Sequence, residues 1–262
     1  MVCKKLFQIH FFILALIALV LPACQQKKTI KTMNNQERAE AKNRFAVEKD
    51  TEAVIKTLEL MLKESRDLNE RQVVTLELAD LLFDTKKFEK AGTMYKEFAK
   101  YYSGSEKAEY ALYRAIVCAF NLIARADRDQ TKTIEAIELA QNFLDRGAVF
   151  NTYAQEVEKI LVSCQERLFE SEMNVVGFYI SRGRFVSAAR RIDGVRKQFI
   201  PLLDTAEQSI LMSECALAEK LSNPELLLAK QTELIQKFPE SQSTVVAQNA
   251  ATEKARSSVN RF

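Results

Sequence analysis

One spacing recurs along this chain and limits the folds open to it. Phe88, Ala91, Tyr95, Phe98 and Tyr102 stand at offsets of 0, 3, 7, 10 and 14, which is a single face of an α-helix. The stripe returns 97 residues later as Phe185, Ala188, Ile192, Val195 and Phe199. Sparser copies begin at Thr51 (with Val54, Leu58, Met61), at Thr133 (with Ala136, Ala140, Phe143) and at Pro224 (with Leu227, Gln231, Leu234, Phe238). Each follows another helical stripe, such as Leu78, Ala79 and Leu82, or Leu112, Ala115 and Ala119. Only 6 Gly and 4 Pro punctuate 262 residues, too few for many short strands, while an apolar content of 47% is ample for a core.

A helix pair repeating near 34 residues is the tetratricopeptide architecture. The copies here start at 51, 88, 133, 185 and 224, so the spacings are 37, 45, 52 and 39, and the third and fourth units carry insertions. The sequence therefore predicts an all-α, TPR-like helical-repeat solenoid of about five helix pairs within residues 37–262. The pairs fall near 38–66, 72–105, 108–148, 153–201 and 206–241. The insertions predict a long linker near 124–132 and one helix near 153–181 of up to ~30 residues, about 45 Å. Gly92, Gly177 and Gly194 fall inside helices, where close helix packing would account for them. Stacked helix pairs present extended surfaces suited to docking partners.

The N-terminus reads as a targeting segment. Lys4 and Lys5 precede an unbroken apolar run from Phe11 to Leu21, which suits a signal-peptide core and is short for a membrane-spanning helix. Leu21-Pro22-Ala23-Cys24 resembles the bacterial lipobox, which implies cleavage after residue 23 and diacylglycerol on the Cys24 sulfur. Gln25 after the cysteine fits sorting to the outer membrane. Polar residues 24–36, with Lys27, Lys28 and Lys31, read as a flexible tether. Removing residues 1–23 deletes Lys4 and Lys5 and no acid, so the charge falls from +3 to +1, against a nucleic-acid partner. It also deletes His10, the only histidine, and with it any His-based triad, metal ligand or acid–base role.

Two stretches narrow the reading. Asp127-Arg128-Asp129-Gln130-Thr131 lies in the long linker, and Glu170–Ala189 spans the end of the long helix and its joint with the next. They resemble the BamD family of outer-membrane assembly lipoproteins, in which a DRDQT segment precedes a helix of the third repeat. The second match rests on Glu170, Glu172, Val176, Phe178, Tyr179, Gly183, Phe185, Ala188 and Ala189. The resemblance implies a non-enzymatic, cofactor-free subunit of the β-barrel assembly machinery, lipid-anchored to the outer membrane and facing the periplasm. It implies docking on a periplasmic domain of the barrel protein BamA through the C-terminal repeats, alongside other assembly lipoproteins. It also implies reception of unfolded outer-membrane proteins by the N-terminal repeats. Another TPR envelope lipoprotein, such as a pilus- or secretin-assembly pilotin, is the alternative that these two stretches argue against.

Within that frame the candidate partner-binding residues are Asp127, Arg128, Asp129, Gln130, Arg184, Arg190 and Arg191. Arg182, Arg184, Arg190, Arg191, Arg196 and Lys197 place six cations in sixteen positions, opposed in sequence only by Asp193. They read as a solvated helix face or as an electropositive contact for an acidic partner. The Asp127–Asp129 carboxylates read chiefly as caps for the following helix, with Thr131 or Thr133 as its N-cap. Cys118, Cys164 and Cys215 sit beside apolar stripes with no metal-ligand spacing, which favours buried free thiols over a disulfide or a metal site.

Overall fold

In the computed structural model of this chain, Ile30 and residues 33–241 are described. The expected signal peptide, Cys24 and most of the expected tether lie outside them. The described residues form ten α-helices, with no strand among them and consecutive helices packed as pairs in TPR-like fashion. No helix among the described residues is long and apolar enough to cross a membrane. The chain divides into two compact units, Met1–Val74 and Thr75–Phe262.

The first unit contains α1 (Asn35–Val47), α2 (Thr51–Glu64) and the opening turns of α3 (Leu68–Asp84). Asn34 and Glu37 start α1 with a reciprocal capping box, and Asp50 caps α2 by accepting from the Ala53 N–H. The α2 stripe Val54, Leu58 and Met61 is buried as its spacing requires. Arg38 on α1 is 1% exposed. Its guanidinium forks onto the Glu64 carboxylate at the end of α2, one arm at 2.9 Å, and its Nε donates to the Ile30 carbonyl at 3.2 Å. The fork holds Glu64 below the usual carboxylate range.

The second unit contains the rest of α3, then α4 (Phe88–Tyr101), α5 (Ala108–Asn121), α6 (Thr131–Leu144), α7 (Ala154–Ser181), α8 (Phe185–Phe199), α9 (Ala206–Lys220) and α10 (Pro224–Lys237). The two strongest stripes bury as expected. Ala91, Tyr95 and Phe98 are at most 1% exposed, as are Ala188 and Phe199, with Ile192 and Val195 at 2%. The long helix is real, at 28 residues or about 42 Å. Val176 near its end packs with Ala188, Ile192, Val195, Ile210 and Leu217 into one core across α7, α8 and α9.

The same turn closes four helix pairs. Lys49, Lys86, Gly183 and Ser222 adopt the left-handed conformation, with φ of 58°, 58°, 69° and 53°. In each, the next residue donates across the turn, as Lys87 N does to Leu82 O at 2.8 Å and Arg184 N to Tyr179 O at 2.9 Å. Only one of the four uses glycine. Between α5 and α6 this turn gives way to the longer segment 122–130.

One expectation fails. Of the helical glycines only Gly92 marks a close approach: a Cβ there would stand 3.1 Å from Cys118 Cβ. At Gly177 and Gly194 a Cβ would meet nothing within 4 Å, so helix packing does not explain them.

Candidate docking surfaces

The segment before α6 is knitted by its own side chains. Gln130 Nε2 donates to the carbonyls of Arg125 and Arg128, at 2.8 and 2.9 Å, while its Oε1 accepts from the Thr133 hydroxyl at 2.8 Å. Asp129 Oδ1 accepts from the Thr131 N–H at 3.0 Å. The Thr131 hydroxyl and N–H together hold the Asp129 carboxyl below its ordinary range. Ala126 is buried beneath, and Asp127, Arg128 and Asp129 face solvent. Asp127 pairs with Arg125 at 3.2 Å. The capping expectation is corrected in detail: Gln130 occupies the N-cap position, Thr131 and Thr133 lie inside the helix, and Asp129 supplies the cap from one residue upstream. Four neighbouring residues thus form one rigid knuckle whose charged tips point outward.

The α7–α8 joint divides the second stretch into structural and exposed residues. Val176 and Ala188 are core, Tyr179 and Phe185 pack against it, and Gly183 takes the left-handed turn that an L side chain resists. Phe178 stays half exposed, with the Arg182 guanidinium 5.5 Å above its ring, and Val186 is 67% exposed. The arginine cluster is not uniform. Arg191 pairs with Glu172 on α7 at 2.7 Å and Arg196 with Glu214 on α9 at 2.8 Å, so two of the six cations bind neighbouring helices. Asp193 is therefore not the cluster's sole opposition once the chain is folded. Arg184, Arg190 and Lys197 are exposed and have no ion-pair partner among the described residues. Val186, Arg190 and Lys197 share one face of α8, opposite the buried stripe.

A third cluster escapes the sequence reading. Asp80 on α3 accepts from Tyr95 on α4 and, at 2.8 Å, from Tyr110 on α5. Arg114 lies over the Phe83 ring at 3.5 Å and donates to the Tyr95 hydroxyl at 3.3 Å. Tyr113 stacks on Tyr153 with centroids 4.4 Å apart and planes 4° from parallel. Burial and the Asp80 carboxylate push the Tyr110 hydroxyl up to about 12 and Tyr95 higher still, so both remain neutral donors. Of these residues Tyr95 belongs to the apolar stripe read in the sequence. Asp80 and Arg114 were not legible there, because their partners lie 15 to 30 residues away and share no motif.

Cys118, Cys164 and Cys215 are free and buried, as their positions implied. Burial raises their thiols to about 12, 11 and 11, the opposite of what a reactive nucleophile requires.

The described residues thus present exposed charge and half-exposed aromatics beside a loop held by its own hydrogen bonds. Residues 33–223 match the family of outer membrane lipoproteins termed YfiO, a match that takes in both stretches described above. The outer membrane protein assembly factor BamD of Caulobacter vibrioides is 28% identical over 99 residues, covering 37% of this chain. The chain spans about a third of that relative's length, 32%. With well over half of its residues matched, this chain belongs to the YfiO family of outer membrane lipoproteins, the family of BamD.

Proposed function

We propose that this protein is a non-enzymatic subunit of the outer-membrane β-barrel assembly machinery, lipid-anchored through Cys24 and facing the periplasm. Its α7–α8 region docks on an acidic surface of a BamA-like periplasmic domain. Its aromatic cluster around Tyr113, Tyr153 and Arg114 receives unfolded outer-membrane proteins, whose aromatic side chains stack on such surfaces. The Asp127–Gln130 knuckle offers a further contact to an accessory lipoprotein. The reading needs no cofactor, metal or covalent step.

The observation that carries it is the pair Arg190 and Lys197, left without carboxylate partners on the exposed side of a helix whose other face is core, with the exposed Arg184 at that helix's N-cap. Charges kept unpaired on a rigid element steer an oppositely charged partner and fix its orientation. Binding kinetics with the purified periplasmic domain of the cognate barrel protein test this. Arg184→Glu with Arg190→Glu is expected to raise Kd about tenfold, roughly 1.4 kcal/mol, mainly through slower association and with altered salt dependence. Arg191 is left intact because reversing it would place two carboxylates together at Glu172. Unchanged kinetics at low and high salt, with helicity preserved, would return these residues to a plain solvated face.

A further inference from the structure

The first unit has two ends with different surfaces. At the α2–α3 end stand Lys63, Arg66 and Leu68, all exposed, with Leu68 at 71%. Neither Lys63 nor Arg66 makes an ion pair among the described residues. The acids at this end are engaged: Glu64 with Arg38, Glu70 with the Ser65 hydroxyl, and Asp67 with the Asn69 N–H at 3.0 Å. The other end, where α1 meets α2, carries Val47 beside Glu48, Lys49 and Asp50.

The Arg38 clasp decides which end lies near the N-terminus. Arg38 joins the Ile30 carbonyl to Glu64, so the incoming chain is pinned beside the end of α2 that leads to Leu68. From Cys24 to Ile30 is six residues, which at full extension reach about 20 Å. The α2 helix between the two ends is itself 14 residues, about 21 Å. A lipid on Cys24 therefore keeps Ile30, and with it the Lys63–Leu68 end, within reach of the bilayer, while the Val47 end can lie a helix length further off.

We propose that the α2–α3 end of the first unit, through Lys63, Arg66 and Leu68, is a contact surface for anionic phospholipid, and that the Arg38–Ile30 clasp sets it there. This rests on the reading of Cys24 as the lipidated residue. Cationic side chains are drawn to anionic headgroups within a Debye length, and an exposed leucine among them can enter the interface. The clasp turns what the sequence suggests is a loose tether into a short one with a defined face.

The test uses the full, processed chain in vesicles of phosphatidylethanolamine and phosphatidylglycerol that carry a headgroup quencher. A dye is placed at Leu68→Cys or, separately, at Val47→Cys; the buried native thiols do not compete. Flotation reports anchoring and quenching reports the face. The expected result is co-flotation of both labelled chains with several-fold stronger quenching at position 68. Adding Lys63→Glu and Arg66→Glu should lower that quenching while flotation persists. A chain that floats but is quenched equally at both positions, or more at position 47, overturns the proposed face and leaves the anchor intact. Quenching at position 68 that ignores the two reversals overturns the headgroup contact. A chain that does not float overturns both the proposal and the lipoprotein reading beneath it.

Discussion

Glycine inside a helix costs about 1 kcal/mol relative to alanine unless something needs the missing Cβ. Gly177 and Gly194 have open space there, so Gly177→Ala and Gly194→Ala are expected to stabilise the second unit by up to about 1 kcal/mol each in urea titrations. Gly92→Ala should gain less or lose, since its Cβ would press on Cys118. Ala188 sits at 0% exposure in the α7–α8–α9 core, and Ala188→Leu is expected to destabilise by about 1–3 kcal/mol through overpacking. Buried protons give a residue-scale pH signature. The thiols of Cys164 and Cys215 rise from 9.0 to about 11, Cys118 from 9.0 to about 12 and Tyr110 from 10.0 to about 12. A raised value means that the fold favours the protonated form. Its stabilisation is complete below about pH 9 and is lost as pH climbs towards 11–12. Thermal melts at intervals between pH 8 and 12 should show a flat Tm followed by a decline that begins near pH 9, and a Tm that holds constant to pH 12 would contradict the burial of these groups.

At the scale of elements, the apolar periodicity marked the helices and even the long α7, because a period near 3.6 with no Pro or Gly before Gly177 leaves a single reading. The turns were less legible. Three of the four left-handed turns are built on Lys49, Lys86 and Ser222, residues with no turn preference strong enough to announce a positive φ. Lys86→Gly and Ser222→Gly should relieve that conformation and raise stability by about 1 kcal/mol each, measured by denaturant midpoint. Inter-helix pairing was hidden for a different reason: a charged residue reveals its partner only in three dimensions. Arg191 and Arg196 looked available in sequence and are committed to Glu172 and Glu214. Glu214 also meets Lys230 of α10 at 3.0 Å, so one carboxylate ties α8 and α10 to α9. Its side chain is only 16% exposed, and Glu214→Ala should cost about 2 kcal/mol by leaving Arg196 without its counter-charge, while Lys230 keeps Glu233 at 3.1 Å.

For the molecule as a whole, the two stretches that marked the family differ in what they leave exposed. The Asp127–Thr131 segment holds its own loop together through Gln130 and Asp129 and leaves three charged tips outside. In Glu170–Ala189 most of the recognisable residues are core or turn, and the exposed remainder is Phe178 with the arginines that follow. A motif recognises a fold more readily than it recognises a contact. The central claim is that this chain serves a barrel-assembly machine through its α7–α8 region. Capture of the tagged, full-length protein from detergent-solubilised envelope of its native cell, followed by identification of what is retained, tests that claim most directly. The account predicts a large β-barrel protein with periplasmic domains, retained by the wild type and depleted by Arg184→Glu with Arg190→Glu; recovery of a secretin instead, or retention of the barrel protein indifferent to those reversals, would contradict it.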